Sequence, residues 1–423
     1  MKKIIYYMSF VVVIIAFKQV CATTPHVNLF NPYDRMVLPP DRPCMCWQVW
    51  AGFEGLISQR SFQAEEDEFG NSNCFRKRAD VLQLYQDEQD LLAALKGDDF
   101  LAQASQVGQQ FNIDDDNGTE GLFIPQGRFE MLNFWFSVRR YLSHGFSVSA
   151  HLPVVKYALK DVVWNPSPRN SNTSFDSQTT NDFVAMIEKV GNINLYDWSR
   201  AGIGDISGIV WWAQNFPQGR PFLHNVYLGF RTGLVFPTGK HTDENVMLGL
   251  PFGYDAGTGI LFGGTLELSY FDYALLGIDA EFLALFGETR QRRIKTDLAQ
   301  TDLVFLTKVN TFVEPGFIQH FTLYGKLDRF CGGISLGAAY QYTKQLESKI
   351  YLGSNHFNPV IANTAEELQD WTNHSAIFTA TFDFFNGDYD PYKPWIEVFY
   401  KHGFNGSRSI AADTLGVVVA IDF

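Results

Sequence analysis

Beyond its amino-terminal segment the chain has no apolar run approaching the roughly 20 residues that a membrane-crossing helix needs, which excludes a helical membrane bundle. Charge is sparse as well: Asp, Glu, Lys and Arg make up 19% of the 423 residues, and the formal net charge is −13. Phosphate neutralisation requires clustered Lys and Arg, so nucleic acid is excluded as a partner. Only five cysteines are present, and Cys44-Met45-Cys46 is not a zinc half-site, because no second pair and no nearby His complete it. The nine histidines are scattered, and none forms an H-E-x-x-H pair. Gly333-Ile334-Ser335-Leu336-Gly337 matches G-x-S-x-G, but no helix follows it. Gly233 to Lys240 is one residue too long for a phosphate loop, and His241 replaces the required Ser or Thr. Asn112, Asp114 and Asp116 approximate a calcium loop, yet Gly118 comes one place late and Phe123 stands where the bidentate Glu belongs. No cofactor and no metal are expected, and the chain reads as a non-enzyme.

What the chain does have is apolar and aromatic residues, 46% and 15% of the total, set at alternate positions. From Gly259 to Tyr270, Ile260, Phe262, Leu266, Leu268 and Tyr270 share one parity while Gly263, Thr265, Glu267 and Ser269 take the other. The next segment repeats this with Leu276, Ile278, Ala280, Phe282 and Phe286 against Gly277, Asp279 and Glu281, and Val226 to Phe236 does the same upstream. A period of two over about ten residues is the pattern of a tilted, membrane-crossing strand. Further strands are read near 47–57, 128–141, 145–156, 203–215, 317–328, 331–343, 375–385, 393–403 and 411–423.

Met1-Lys2-Lys3 is a short basic region, Ile4 to Phe17 is an apolar run of signal-peptide length, and Val20-Cys21-Ala22 offers the small residues a signal peptidase reads. Residues 1–22 are therefore expected to be a cleaved signal peptide. At the other end, Leu415, Val417, Val419, Ile421 and Phe423 fall on one parity, and the strand stops on an aromatic residue. Such a terminus resembles the closing strand of a Gram-negative outer-membrane β-barrel. In that family the last Phe is an assembly signal. The resemblance thus implies that Phe423 is read by barrel-assembly machinery, and that the protein is integral to the bacterial outer membrane, in contact with the lipid bilayer and lipopolysaccharide.

The expected fold is all-β: a closed antiparallel transmembrane barrel of about twelve strands over 47–423, with fourteen as the alternative. Short connections at 143–144, 216–223, 271–273, 327–330 and 386–392 alternate with longer ones near 58–127, 157–202, 237–258, 287–316 and 344–374, as periplasmic turns and outer loops do. Asp302 to Val313 would make the strand count odd, and is assigned to an outer loop or to a hairpin above the membrane. In the long loop near 58–127, Val81, Leu84, Tyr85, Glu88, Leu91, Leu92 and Leu95 approximate helical spacing, so Asp80 to Lys96 is expected to form a short helix, capped by Asp80 and Gly97. Residues 23–46 are proline-rich and should be extended, either lying in the periplasm or threading the lumen as a plug.

Parity places Glu54, Arg139, Asp205, Arg231, Glu267, Asp279, Glu281, Lys326, Asp383, Glu397 and Lys401 on the lumen face. Charges in a hydrated lumen line a solute path, and their sign tunes selectivity; the alternative is that they pair with one another and fill a narrow barrel. Parity also turns Trp50, Trp135 and Trp211 inward, while an interfacial belt suits tryptophans near strand ends that face lipid. One of Cys44 and Cys46 is the expected disulfide partner of Cys74. Phe236-Pro237-Thr238-Gly239-Lys240, with the glycine-studded stretch from Gly249 to Gly264, is similar to the strand-end Pro-Thr-Gly pattern of small-solute outer-membrane transporters, although no solute-binding residue follows from it. The function expected is passive passage of small solutes. A closed barrel acting as a structural or adhesive surface protein through its outer loops is the alternative, and a hydrolase with its site at the rim is a third reading.

Overall fold

The computed structural model describes residues 29–41, 46–64, 78–96, 121–170, 176–271, 273–384 and 392–423, with isolated positions between 100 and 110. The leader, Cys44, Cys74, Gly97 and the acidic segment 112–118 lie outside the described residues. Twelve antiparallel strands close into one barrel. They are β1 (Trp47–Phe62), β2 (Leu122–Tyr141), β3 (Phe146–Pro166), β4 (Ile206–Pro217), β5 (Leu223–Phe236), β6 (Gly259–Tyr270), β7 (Ala274–Leu285), β8 (Ile318–Cys331), β9 (Ile334–Gln345), β10 (Trp371–Asp383), β11 (Lys393–Ser407) and β12 (Ser409–Asp422). Each pairs with its neighbours in sequence, and β1 closes the ring by pairing with both β2 and β12, so that Val49 stands opposite Val138 on one side and Ile421 on the other. Phe423 continues the seam, its N–H donating to Trp47 O at 2.9 Å.

Alternation fixes which face is which. Val49, Phe53, Phe134, Phe136, Leu266, Ile278, Leu323, Phe378 and Val419 are exposed on the outer wall, whereas Trp50, Glu54, Trp135, Arg139 and Trp211 are buried inside. An apolar exterior around a polar interior is the inverse of a soluble protein, and it suits a barrel set in a bilayer. Turns at one end are short, and the β2–β3 turn shows why: His144 and Gly145 both take positive φ, and a Cβ on Gly145 would meet Ala213 O at 2.2 Å. This is the periplasmic end by the rule that outer loops are the long ones.

The outer loops pack into a dome. Lys308–Glu314 pairs with Glu288–Arg293 and with Lys349–Leu352 in a separate three-stranded sheet, so the 302–313 stretch belongs above the barrel and not in its wall. The helix expected over Asp80–Lys96 does not form. That segment has two single 3-10 turns, Val81–Gln83 and Ala93–Leu95, on either side of a short pairing of Gln89–Asp90 with Leu122–Phe123. Two reasons are visible. Leu82, Leu84, Leu91, Leu92 and Leu95 are all buried, more than one helix stripe can hide. Asp80 accepts the N–H groups of Leu82 and Gly127, and Asp90 accepts that of Ala93; such local side-chain caps compete with a helix ladder.

The longest helix among the described residues lies instead in the next loop, α1 (Ser177–Gly191). Asp176 caps it by accepting from Thr179 N, Asn192 ends it in the left-handed region, and Thr180, Phe183, Val184, Ile187 and Gly191 form its buried stripe. Arg293 ties α1 to the rest, donating to Gly191 O at 2.9 Å, Asn192 O at 3.0 Å, Phe305 O at 3.0 Å and Leu306 O at 2.8 Å. Replacing Arg293 by Ala strands these carbonyls, at a cost of about 3 kcal/mol if two of them stay dry. Limited proteolysis of Arg293→Ala should cut the outer loops sooner, while the barrel keeps its heat-modifiable mobility on gels.

Candidate functional site

Of the charged residues assigned by parity to the lumen, all but Asp205 lie on barrel strands with side chains turned inward. Glu54, Arg139, Arg231, Glu267, Asp279, Glu281, Asp383, Glu397 and Lys401 are buried, and Lys326 is half-buried. Arg231 on β5 reaches across β6 to β7, where it grips Asp279 with both terminal nitrogens at 2.6 Å and Glu281 through Nε at 2.9 Å. Gly263 leaves the space: a Cβ there would lie 3.1 Å from Arg231 Nε and 2.6 Å from Ala280 O. Glu267 and Lys326 do not join this cluster. Glu267 accepts from Tyr324 OH at 2.6 Å, Lys326 faces Asp328 at 3.7 Å, and Asp383 meets Arg329 at 3.1 Å.

Glu267 has a partner that parity does not reveal, because it comes from the arm. Residues 29–41 run inside the barrel, and Pro32, Pro39 and Pro40 keep them out of helical structure. Phe30 N donates to Glu54 Oε2 at 2.9 Å, and Asn133 Nδ2 donates to Phe30 O at 2.9 Å. Arg35 forms an ion pair with Glu267 and donates to Tyr324 OH at 3.2 Å. Asp41 accepts from Arg139 Nη1 at 2.6 Å and from Tyr227 OH. Arg139 also stacks over Trp50 and Trp211 at 5.4 and 5.2 Å, so the inward tryptophans form part of the arm's seat. Lys401 Nζ lies 3.8 Å from the Phe30 ring centre, and Asp34 Oδ1 lies 3.6 Å from His320 Nε2.

A second closure comes from above. The loop between β5 and β6, residues 237–258, folds inward and brings Tyr254 OH to 2.8 Å from Tyr33 OH of the arm. Between the two elements lies a cavity of about 130 Å³, walled by Tyr157, His320, Gln341, Thr343 and Trp371, roofed by Phe252 and Tyr254, and floored by Phe30 and Tyr33. On the periplasmic side of Arg35 a vestibule of about 330 Å³ is lined by Tyr227, Glu267, Lys326, Arg329 and Glu397. The lumen is therefore two compartments divided by the arm, the outer one largely apolar and the periplasmic one polar.

Cys46 is an exposed free thiol at the periplasmic start of β1; Cys44 and Cys74, the other disulfide candidates, lie outside the described residues. Tyr33, Asp34, Arg35, Asp41 and Tyr254 were not singled out in the sequence. The available signal was the presence of Asp34, Arg35 and Asp41 among the prolines of a supposed linker.

Fold and lumen together define an integral β-barrel of the outer-membrane type. Among solved structures the chain is similar to an outer-membrane channel of Pseudomonas putida F1, at 10% identity over 93% of this chain and 100% of that one, with a TM-score of 0.49. It is similar also to a Pseudomonas aeruginosa FadL homologue, at 9% identity over 96% and 99% of the two chains with a TM-score of 0.30. A third similarity is to the toluene transporter TodX of P. putida, at 9% identity over 95% and 95% with a TM-score of 0.32. No protein-family model and no curated protein matches the chain. Identities this low carry over neither a solute nor a residue role.

The Arg231 cluster gives a direct test of the inner wall. Arg231→Met leaves Asp279 and Glu281 facing each other without their cation, which should cost about 3–5 kcal/mol. A lowered midpoint in urea unfolding of the refolded barrel is the expected result, and Asp279→Asn combined with Arg231→Met should recover part of it.

Proposed function

We propose that this protein is a channel for passive diffusion of small solutes across the outer membrane, held shut by its own arm and by the inward loop at 237–258. The observation that carries this reading is the nature of the seat. The arm is fastened to a charged inner wall by ion pairs and hydrogen bonds, while Phe30, Tyr33, Val37 and Leu38 pack on inward apolar side chains. Water can replace the arm's polar contacts, so hydration of the lumen opposes the closed arrangement. Displacing residues 29–41 would join cavity and vestibule into one aqueous path. The wall then presents Glu54, Glu267, Asp279, Glu281, Asp383 and Glu397 against Arg139, Arg231, Lys326 and Lys401, an acidic excess that favours cations. The chain is read as a conduit and not as an enzyme.

The tightly packed dome favours a second reading, in which the barrel is a scaffold and the outer loops act as a structural or adhesive surface. Liposome swelling separates the two. Arg35→Ala with Asp41→Ala removes the Arg35–Glu267 and Asp41–Arg139 ion pairs, about 3 kcal/mol of differential stabilisation and on the order of a hundredfold in open population. Swelling by small neutral solutes should rise accordingly above the parent protein. Permeability equal to protein-free liposomes in both forms would defeat the channel reading. In planar bilayers under a salt gradient, the reversal potential of the double variant should have the sign of cation preference, and anion selectivity would refute the charge argument.

A further inference from the structure

We infer that Asp205 is the positioning residue of the outer closure: its carboxylate latches the tip of the 237–258 loop in the lumen, where Tyr254 meets the arm. The inference deepens the channel reading and rests on it. Parity places Asp205 among the lumen charges, and a path-lining carboxylate would keep its oxygens for water or solute. Both are committed elsewhere. Oδ1 accepts the N–H of Gly239 at 2.8 Å, and Oδ2 accepts that of Tyr254 at 2.7 Å. These donors lie on opposite limbs of the loop, so one carboxylate draws the limbs together through two charge-assisted bonds.

The surrounding sequence is built for this contact. A Cβ on Gly253 would lie 2.0 Å from Asp205 Oδ2, and one on Gly239 would lie 2.9 Å from Oδ1, so a side chain at Gly253 has no room and one at Gly239 would crowd the latch. Thr238 holds the turn that carries Asp205, donating to Gly204 O at 2.8 Å and accepting from Ile206 N at 2.9 Å. Pro237-Thr238-Gly239, weak as a family signature, thus has a mechanical role. The outer part of the loop is held independently. Arg200 donates to His241 O, Gly249 O and Leu250 O, and Asp255 is gripped by Arg290 and Arg292. Phe252 N also donates to Lys240 O at 2.9 Å and Thr242 N to Asp255 Oδ1 at 2.9 Å, and between these ties Asp205 holds the inward-reaching pair Gly253 and Tyr254, which roofs the cavity and meets Tyr33.

The Tyr33–Tyr254 contact supplies a readout independent of conduction. Photo-oxidative coupling of tyrosines in the refolded full-length protein should give a Tyr33–Tyr254 cross-linked peptide pair in the mass spectrum. Its yield should fall about tenfold in Asp205→Ala, the factor that 1.4 kcal/mol of lost positioning produces. Gly253→Ala retains the carboxylate but forces it aside, and should lower the yield similarly; heat-modifiable mobility checks that both variants form barrels. With Arg35→Ala and Asp41→Ala opening the arm, adding Asp205→Ala should raise single-channel conductance several-fold further. Unchanged cross-linking in both variants overturns the latch, whatever the conductance. Lost cross-linking with no conductance in any variant supports the latch and counts against the channel.

Discussion

Every other feature of this molecule depends on the closed backbone ladder. In hydrocarbon there is no water to satisfy a free N–H or C=O, so a sheet can cross only if it has no edge. Here the requirement is met where β1 pairs with β12 and β2, and the terminal Phe423 takes part in the hydrogen bonding of that seam. Closure also fixes register. A slip of one residue at the seam would turn Glu54 and Trp50 toward lipid and Phe53 toward the lumen, reversing the preference of each.

Once the wall is closed, the polar inner face becomes the problem to be solved. Charges such as Arg231, Asp279 and Glu281 are shielded from lipid but not from each other, and the wall satisfies part of them by pairing across strands. The remainder is met by a segment that belongs to no strand. Arg35 and Asp41 of the arm complete the pairs that Glu267 and Arg139 lack on the wall. The same polar surface that would suit passage of solutes helps to hold the arm in place, so in the proposed channel conduction and closure compete for one set of groups. The outer loop reaches the arm from the opposite side at Tyr33 and Tyr254, which makes the two closures adjacent.

Much of the barrel was legible because its signal is local. Lipid on one side and water or polar protein on the other impose a period of two that needs no knowledge of distant residues, and all twelve strands were read from it. The same reasoning failed above the membrane, where burial is not one-sided. Val81, Leu84, Leu91, Leu92 and Leu95 mimic a helical stripe in the sequence, but in the dome they are buried together with Leu82 and Ala94, which lie off it. The helix at Ser177–Gly191 carries the cleaner stripe in Phe183, Val184 and Ile187, within the stretch 157–202 that reads as a long loop in the sequence. Asp205 shows a subtler failure: parity found the residue, but its oxygens serve two backbone donors of a loop and not a solute.

The sequence by itself determined the position of the wall strands, the face their residues take and the membrane environment, since these follow from alternation over about ten residues at a time, while it left twelve strands or fourteen open. Tertiary structure alone decided who meets whom inside. Arg35 finds Glu267 at a separation of 232 residues, and Tyr33 finds Tyr254 at 221. No local pattern encodes such pairs. They exist because ring closure brings every strand around one axis, and the charges left unmet on that inner wall attract whichever segment can reach them.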